Sequence, residues 1–364
     1  MNTTEGYLVV ADISGYTKFL TGTELEHAAS IVNELTSLVR TCLAPPLRFV
    51  KLEGDAVLCC AEPQALADGE RLLELLEVCY IEFTHRRDDM ARSTTCSCDA
   101  CTSISTLGLK FVAHYGRYLE QRAGGIDDIA GPDVIIVHRL LKNSIAEEKG
   151  IRAYVFFTDV FAAALPPELA LQPHVQQYEE LGEVSGAVYD LEPVLEGRRE
   201  GARQVVRSDE ADFEHTGEVD ATPAVLWPYF IEPRERLRWQ VGIDDANNQP
   251  NERGRLGVGA TIHCDHGSWS SEQRIVDWRP FEYFTTLSKP VRTSFSAAPP
   301  MLVTTEFAPI GEGRTRISYR FRLDERGLLS GLTMRAFAPF VRRQFNKQHK
   351  RLEELLRRDG VATP

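Results

Sequence analysis

The sequence predicts a two-domain α+β protein, and three observations lead there. Roughly the first two hundred residues alternate short apolar runs with helical spacings, as a sheet covered by helices requires. The remainder reads as successive strands closed by one long amphipathic helix. All four tryptophans (Trp227, Trp239, Trp269 and Trp278) lie beyond the polar, glycine-containing stretch EGRREGARQVVRSDEADF at 196–213, a composition shift typical of a seam. We therefore expect a first domain over 1–195, a linker over 196–211 and a second domain over 212–360.

The bulk composition narrows the class. A chain of 364 residues is long enough for two cores. With 43% hydrophobic and 26% charged residues it has the balance of a globular protein. The 53 acidic against 41 basic residues argue against nucleic acid as a partner. MNTTEGYLVVADISG lacks the basic region of a signal peptide, and no apolar run is long enough for a membrane span, so a cytoplasmic protein is expected.

In the first domain, Leu8–Ala11 of LVVADISGYTKF (8–19) is a short buried strand that stops at Asp12. A carboxylate there needs a cation, a donor or water, so Asp12 is either a cap for the next turn or a metal ligand. EHAASIVNELTSLVRTCL (26–43) has helical spacing and is stopped by Pro45-Pro46. LRFVKLEGDAVLCCA (47–61) reads as a hairpin turning at Glu53-Gly54, which brings Asp55 beside a second strand. Helices follow over 64–87 and 131–148, with strands over 106–120 and 153–158. Two carboxylates from neighbouring strands offer a hard-oxygen site for Mg2+ or Mn2+ carrying a polyphosphate. The Gly15-Tyr16-Thr17 turn before a helix is placed to aim backbone N–H groups at phosphates.

ADISGYT, KLEGD and DIAGPDVIIVHR, in that order, resemble the three core motifs of class III adenylate and guanylate cyclases over roughly residues 6–160. The resemblance implies an α/β sandwich with a ferredoxin-like core. It also implies conversion of ATP to cyclic AMP and pyrophosphate, with active sites shared between the two protomers of a homodimer. Residue by residue, Asp12 and Asp55 match the metal-binding aspartates, and Ile13 the position whose carbonyl also meets a metal. Lys51 matches the purine-reading lysine and Asp128 the acidic partner that selects adenine; Arg139 matches the arginine that stabilises charge on the transferring phosphoryl group. Each has a plainer alternative: hairpin or cap carboxylates, a solvated strand lysine, a structural arginine. Ile135 departs from the pattern, because the family's asparagine at that position helps place the nucleophilic hydroxyl. His138 shares its helical face and reads as a surface or dimer-interface residue. The alternative function is thus a degenerate scaffold that binds nucleotide without turnover.

Eight cysteines include the C-x-C-x-x-C of STTCSCDACTSI, at Cys96, Cys98 and Cys101. With His85 or His114 as a fourth ligand, three thiolates would close a zinc site (Zn2+); the other reading is a loop of free, redox-sensitive thiols. Adjacent Cys59 and Cys60 read as apolar fillers on a strand.

In the second domain, GEVDATPAVLWPYFIEP and GRLGVGATIHC resemble the opening elements of START-like proteins, the superfamily of polyketide cyclases and lipid carriers. This implies a helix-grip fold, an antiparallel sheet around a long C-terminal helix, with a small hydrophobic ligand as partner and a regulatory role toward the first domain. The tryptophans and phenylalanines serve equally as cavity lining or as filled core. The helix is expected over 327–357 on the spacing of Leu328, Leu332, Ala336, Phe340, Phe345, Leu352 and Leu356, with a kink at Pro339. His263 and Asp265 share a strand face and His266 opposes them; we read these as surface or mouth residues without a metal.

Overall fold

The computed structural model describes residues 3–63, 66, 69–123, 126–179, 181–200, 203–266, 270–292, 300–311, 313–323 and 330–361. Leu328 and Trp269 lie outside these, as do the side chains of Leu332, Ala336 and Phe340. The chain divides into two compact units, 1–165 with 169–201, and 166–168 with 202–364.

The first unit begins with β1 (Thr3–Ser14), α1 (Tyr16–Thr21), α2 (Leu25–Leu43), β2 (Arg48–Glu53), β3 (Ala56–Ala61) and α3 (Gly69–Ser93). It continues through α4 (Asp99–Thr102), β4 (Gly108–Ala123), β5 (Ile126–Ala130), α5 (Pro132–Leu140), α6 (Ile145–Lys149), β6 (Tyr154–Thr158) and α7 (Asp159–Ala162). It closes with β7 (Gln172–Tyr178), β8 (Gly182–Asp190) and α8 (Glu192–Glu200). The sheet runs β2-β3-β1-β4-β6-β8-β7, with β5 paired to the end of β4. Only the β4–β6 pairing is parallel; the others are antiparallel.

Its central strand explains the opening apolar run. β1 lies between β3 and β4 and is buried from Gly6 to Ala11, so both faces must be apolar until Asp12. α2 buries Ala28, Ile31, Val32, Leu35, Val39 and Leu43, a stripe at three- and four-residue spacing. Leu8, Val10, Leu58, Val112, Val137, Leu140 and Phe156 meet in one core cluster. Cys59 and Cys60 are buried on β3.

Two local expectations change. The helix expected over 131–148 is broken into α5 and α6 at Asn143. Its amide donates to the Leu140 carbonyl at 2.7 Å, and its oxygen accepts the Ile145 N–H at 3.1 Å and the Tyr154 hydroxyl at 2.8 Å. A short polar side chain that competes for backbone groups ends one helix and starts the next. The expected linker, 196–211, is helical through Glu200 and then packs on the second unit's sheet. There the Gln204 N–H meets Asp277 at 2.6 Å and the buried Val206 donates its N–H to Thr304 Oγ1 at 2.9 Å.

The second unit comprises β9 (Phe213–Val219), α9 (Pro223–Ile231), α10 (Pro233–Trp239), β10 (Asp245–Gln249), β11 (Thr261–Asp265) and β12 (Ser270–Arg279). β13 (Tyr283–Arg292), β14 (Met301–Pro309), β15 (Thr315–Leu323) and α11 (Ser330–Arg358) complete it. Its antiparallel sheet is a meander from β10 to β15, with β9 returning beside β15. Leu352, Leu355 and Leu356 of α11 join the core with Ile262, Ile275 and Ile317 from the sheet. Trp227 is fully buried, its ring 4.9 Å from Trp278 and 5.5 Å from Phe307, while Trp239 donates to the Tyr229 carbonyl at 2.7 Å. These described aromatics therefore pack against one another as core. His266 meets the Gly242 carbonyl at 2.7 Å. Among the described residues no helix is long and apolar enough to cross a membrane.

Candidate functional site

A cavity of about 920 Å³ in the first unit collects most of the acidic motif residues: Asp12, Ile13, Gly15, Tyr16, Thr17 and Asp55 all line it. The fold explains the convergence. β1 and β3 are neighbours, so the last exposed turn of one and the hairpin entrance to the other open on the same side. Gly15 has φ 89°, a left-handed conformation that lets the chain leave β1 and enter α1 at once. Burial and the negative charge of Asp12 push the Asp55 carboxyl up to about 6, against backbone hydrogen bonds at its own N–H and at Ile13. Lys110, opposite Asp12 in the β1–β4 register, approaches its Oδ2 at 3.3 Å and also donates to the Leu141 carbonyl at 3.0 Å. The motifs did not single out this lysine; only the strand register puts it there.

Lys51 and Asp128 do not line this cavity. They meet elsewhere in the same unit, with Lys51 Nζ 3.2 Å from Asp128 Oδ2. β2 carries the lysine, and β5, folded back along β4, carries the aspartate across 77 residues of chain. Two further groups complete the cluster. Glu53 Oε1 lies 3.1 Å from Lys51, and Glu53 Oε2 lies 3.2 Å from His138 Nδ1. Lys51 loses some hydration there, but its carboxylate neighbours hold its ammonium above the ordinary range. Burial lowers the His138 imidazole instead, and its buried Nε2 has no hydrogen-bond partner among the described residues. His138, expected as a surface or dimer-interface residue, is half-buried and part of this cluster. Glu53 sits two residues along β2 from Lys51, a spacing that the alternation of the strand made legible.

On α5 the exposed face carries Ile135, 54% accessible, and Arg139 one turn later. An isoleucine offers no hydrogen bond there.

The three clustered cysteines come together with a histidine that was not the one expected. His27, in the first turn of α2, places Nδ1 3.2 Å from Cys98 Sγ and 3.7 Å from both Cys96 and Cys101. His114 is committed elsewhere, with Nδ1 2.7 Å from Thr158 Oγ1 and Nε2 facing Asp133. His85 is exposed on α3 and is not in the cluster.

Residues 32–149 match a family described as protein of unknown function (DUF2652). The C-terminal part carries a polyketide cyclase/START-like domain: residues 210–357 match the family described as polyketide cyclase / dehydrase and lipid transport. Similar solved structures include a bacterial light-regulated adenylyl cyclase (14% identity, TM-score 0.40), which covers 54% of this chain. The chain spans 56% of that enzyme's length. Another is the adenylyl cyclase CyaB from P. aeruginosa (16% identity, TM-score 0.38, covering 52% of this chain and 97% of the other). Among curated proteins, an uncharacterized protein of Mycobacterium tuberculosis, Rv2561/Rv2562, is 32% identical over 161 residues, 41% of this chain and 68% of the relative. At that identity and coverage, this chain belongs to the same family as the mycobacterial protein.

Proposed function

We propose that the first unit binds ATP with a divalent cation and converts it to cyclic AMP and pyrophosphate. The observation that carries this reading is the Lys51–Asp128 pair, a donor and an acceptor 3.2 Å apart. Adenine presents the complementary pair on one edge: N1 accepts from an ammonium and the exocyclic amine donates to a carboxylate. The resemblance of the three motifs to those of class III cyclases supports the same assignment.

Asp12, Asp55 and the Ile13 carbonyl would hold Mg2+ or Mn2+. They fit a hard cation, because burial and the charge of Asp12 raise the proton affinity of Asp55, and divalent charge would relieve it. The ion would supply Lewis-acid stabilisation of the triphosphate. Gly15, Tyr16 and Thr17 line the same cavity and would contact phosphate oxygens. Arg139, on the exposed face of α5, would stabilise charge on the transferring phosphoryl group. Because the acidic cavity and the Lys51 cluster are separate places in one chain, a complete site would combine the acidic end of one protomer with the base-reading end of its partner in a homodimer. The START-like unit would bind a small hydrophobic ligand and regulate that site.

Ile135 favours a second reading, nucleotide binding with little turnover. Loss of one transition-state hydrogen bond costs about 2.7–4 kcal/mol, a rate factor of about 10²–10³. The deciding experiment is mass-spectrometric detection of cyclic AMP from purified protein with ATP and Mn2+, beside Asp55→Ala. We expect product from the native chain and at least about a hundredfold less from the variant. ATP binding without product would establish the second reading, and absence of ATP binding would sink both.

A further inference from the structure

We propose that His27, Cys96, Cys98 and Cys101 form a structural zinc site that ties the start of α2 to the loop between α3 and β4. The four ligand atoms all lie within 4.8 Å of one another. A tetrahedral zinc with Zn–S of about 2.3 Å and Zn–N of about 2.0–2.1 Å has N···S edges of about 3.6 Å and S···S edges of about 3.8 Å. The observed N···S separations of 3.2, 3.7 and 3.7 Å already approach those edges, so one ion fits with small side-chain adjustments. Three soft thiolates and one imidazole select zinc over the hard cations suited to Asp12 and Asp55. The spacing leaves room for one ion rather than a multinuclear cluster. Among the described residues, this is the only group of three or more such side chains close enough to hold a metal.

The loop is shaped around the thiolates. Cys98 caps α4, and its Sγ accepts the N–H of Cys101 at 3.4 Å. The next residue but one, Ala100, donates its N–H to Glu24 at 3.1 Å, and Glu24 is the residue that precedes α2. The loop is thus already anchored once to the start of α2, and the metal would make the second anchor one helical turn further on. Apolar packing does not account for the arrangement, since His27 is exposed and Cys96 and Cys98 are only partly covered.

The placement has a consequence for the cavity described above. The loop continues into Ser105, Thr106 and Leu107, which line that cavity beside the Gly15–Thr17 turn. The Thr106 carbonyl lies 3.4 Å from where a Cβ on Gly15 would stand. The zinc site would therefore hold two walls of the cavity in register without touching what binds there. The site itself stands independently of the nucleotide reading.

The test is metal analysis of the full chain, purified untagged under reducing, oxygen-free conditions. We expect about one zinc per chain by plasma mass spectrometry. Co2+ replacing it should show thiolate charge-transfer absorption and the visible bands of tetrahedral cobalt. His27→Ala, at an exposed position, should fold and bind zinc at least about tenfold more weakly in competition with a chromogenic chelator. Asp12→Ala should keep the native zinc content. Removing zinc should speed amide exchange across 94–108 while β6 stays protected. A chain that takes up neither zinc nor cobalt at equimolar addition would overturn the site, as would thiols recovered as a disulfide under these conditions. Unchanged affinity in His27→Ala would overturn the ligand set, and unchanged exchange the stapling role.

Discussion

At the end of β1 a lysine pairs directly with one of two neighbouring carboxylates, whereas on β2 one lysine contacts both of its carboxylates. The first arrangement leaves Asp55 uneasy: burial and the charge of Asp12 push its carboxyl up to about 6, and Lys110, paired directly with Asp12, offsets this only through the field. In the second, every carboxylate has a direct partner. Glu53 meets Lys51 and His138, while Asp128 meets Lys51 and the Ile129 N–H at 2.8 Å. The cavity lining balances Lys18, Arg87, Lys110 and Arg152 against Asp12, Asp55, Glu147 and Glu192, and the charge left unrelieved is local to Asp55, where a cation would sit. In the Lys51 cluster both carboxylates are already paired, so a ligand there must replace hydrogen bonds already made, which favours selectivity over raw affinity.

The comparison can be sharpened first at Ile135. It is exposed on α5, so Ile135→Asn removes no core packing. We expect this change to raise cyclic AMP formation about a hundredfold with ATP affinity within about threefold of native, measured by single-turnover kinetics and calorimetry. An unchanged rate would remove Ile135 as the reason for weak turnover. Next in size is the base-reading end. Lys51→Ala should lower discrimination between ATP and GTP by about tenfold, leaving divalent-ion binding at the acidic cavity unaffected. A parallel loss of both would show that the two clusters are not separate functions.

The smallest expected effect is on stability. The folded Asp55 carboxyl titrates near 6, above its ordinary 3.8, so the folded state holds that proton more tightly than the unfolded chain. The stabilisation from protonation is full below about 4 and is lost as pH rises through about 6. In magnesium-free buffer at pH 7.5, Asp55→Asn should therefore raise stability by about 1 kcal/mol, after allowance for solvent screening at a partly exposed group. At pH 4 the variant and native melting temperatures should converge. Added Mg2+ should stabilise the native chain alone; equal stabilisation of the variant would place the ion elsewhere.

Local pattern was enough for much of the framework. The apolar run ending at Asp12, the helix stopped before Pro45-Pro46 and the hairpin turning at Gly54 all follow from periodicity and turn chemistry within about a dozen residues. The strands β11 to β15 of the second unit and its closing helix were legible in the same way, while β10, DANNQ, was not. β7 and β8 were not, because QPHVQQY and GEVSGAVYD carry too little apolar alternation to announce strands. The break at Asn143 was missed because helical spacing continues across it, and the decision rests on a hydroxyl from Tyr154 in another strand. The clusters depended most on tertiary structure. Lys110 reaches Asp12 only through strand register, Asp128 reaches Lys51 only because β5 folds back, and His27 joins Cys96, Cys98 and Cys101 from 69 to 74 residues away. Neighbours along the chain set what each segment can form, but the partners that decide charge and ligation are brought together by packing, which no short window of sequence contains.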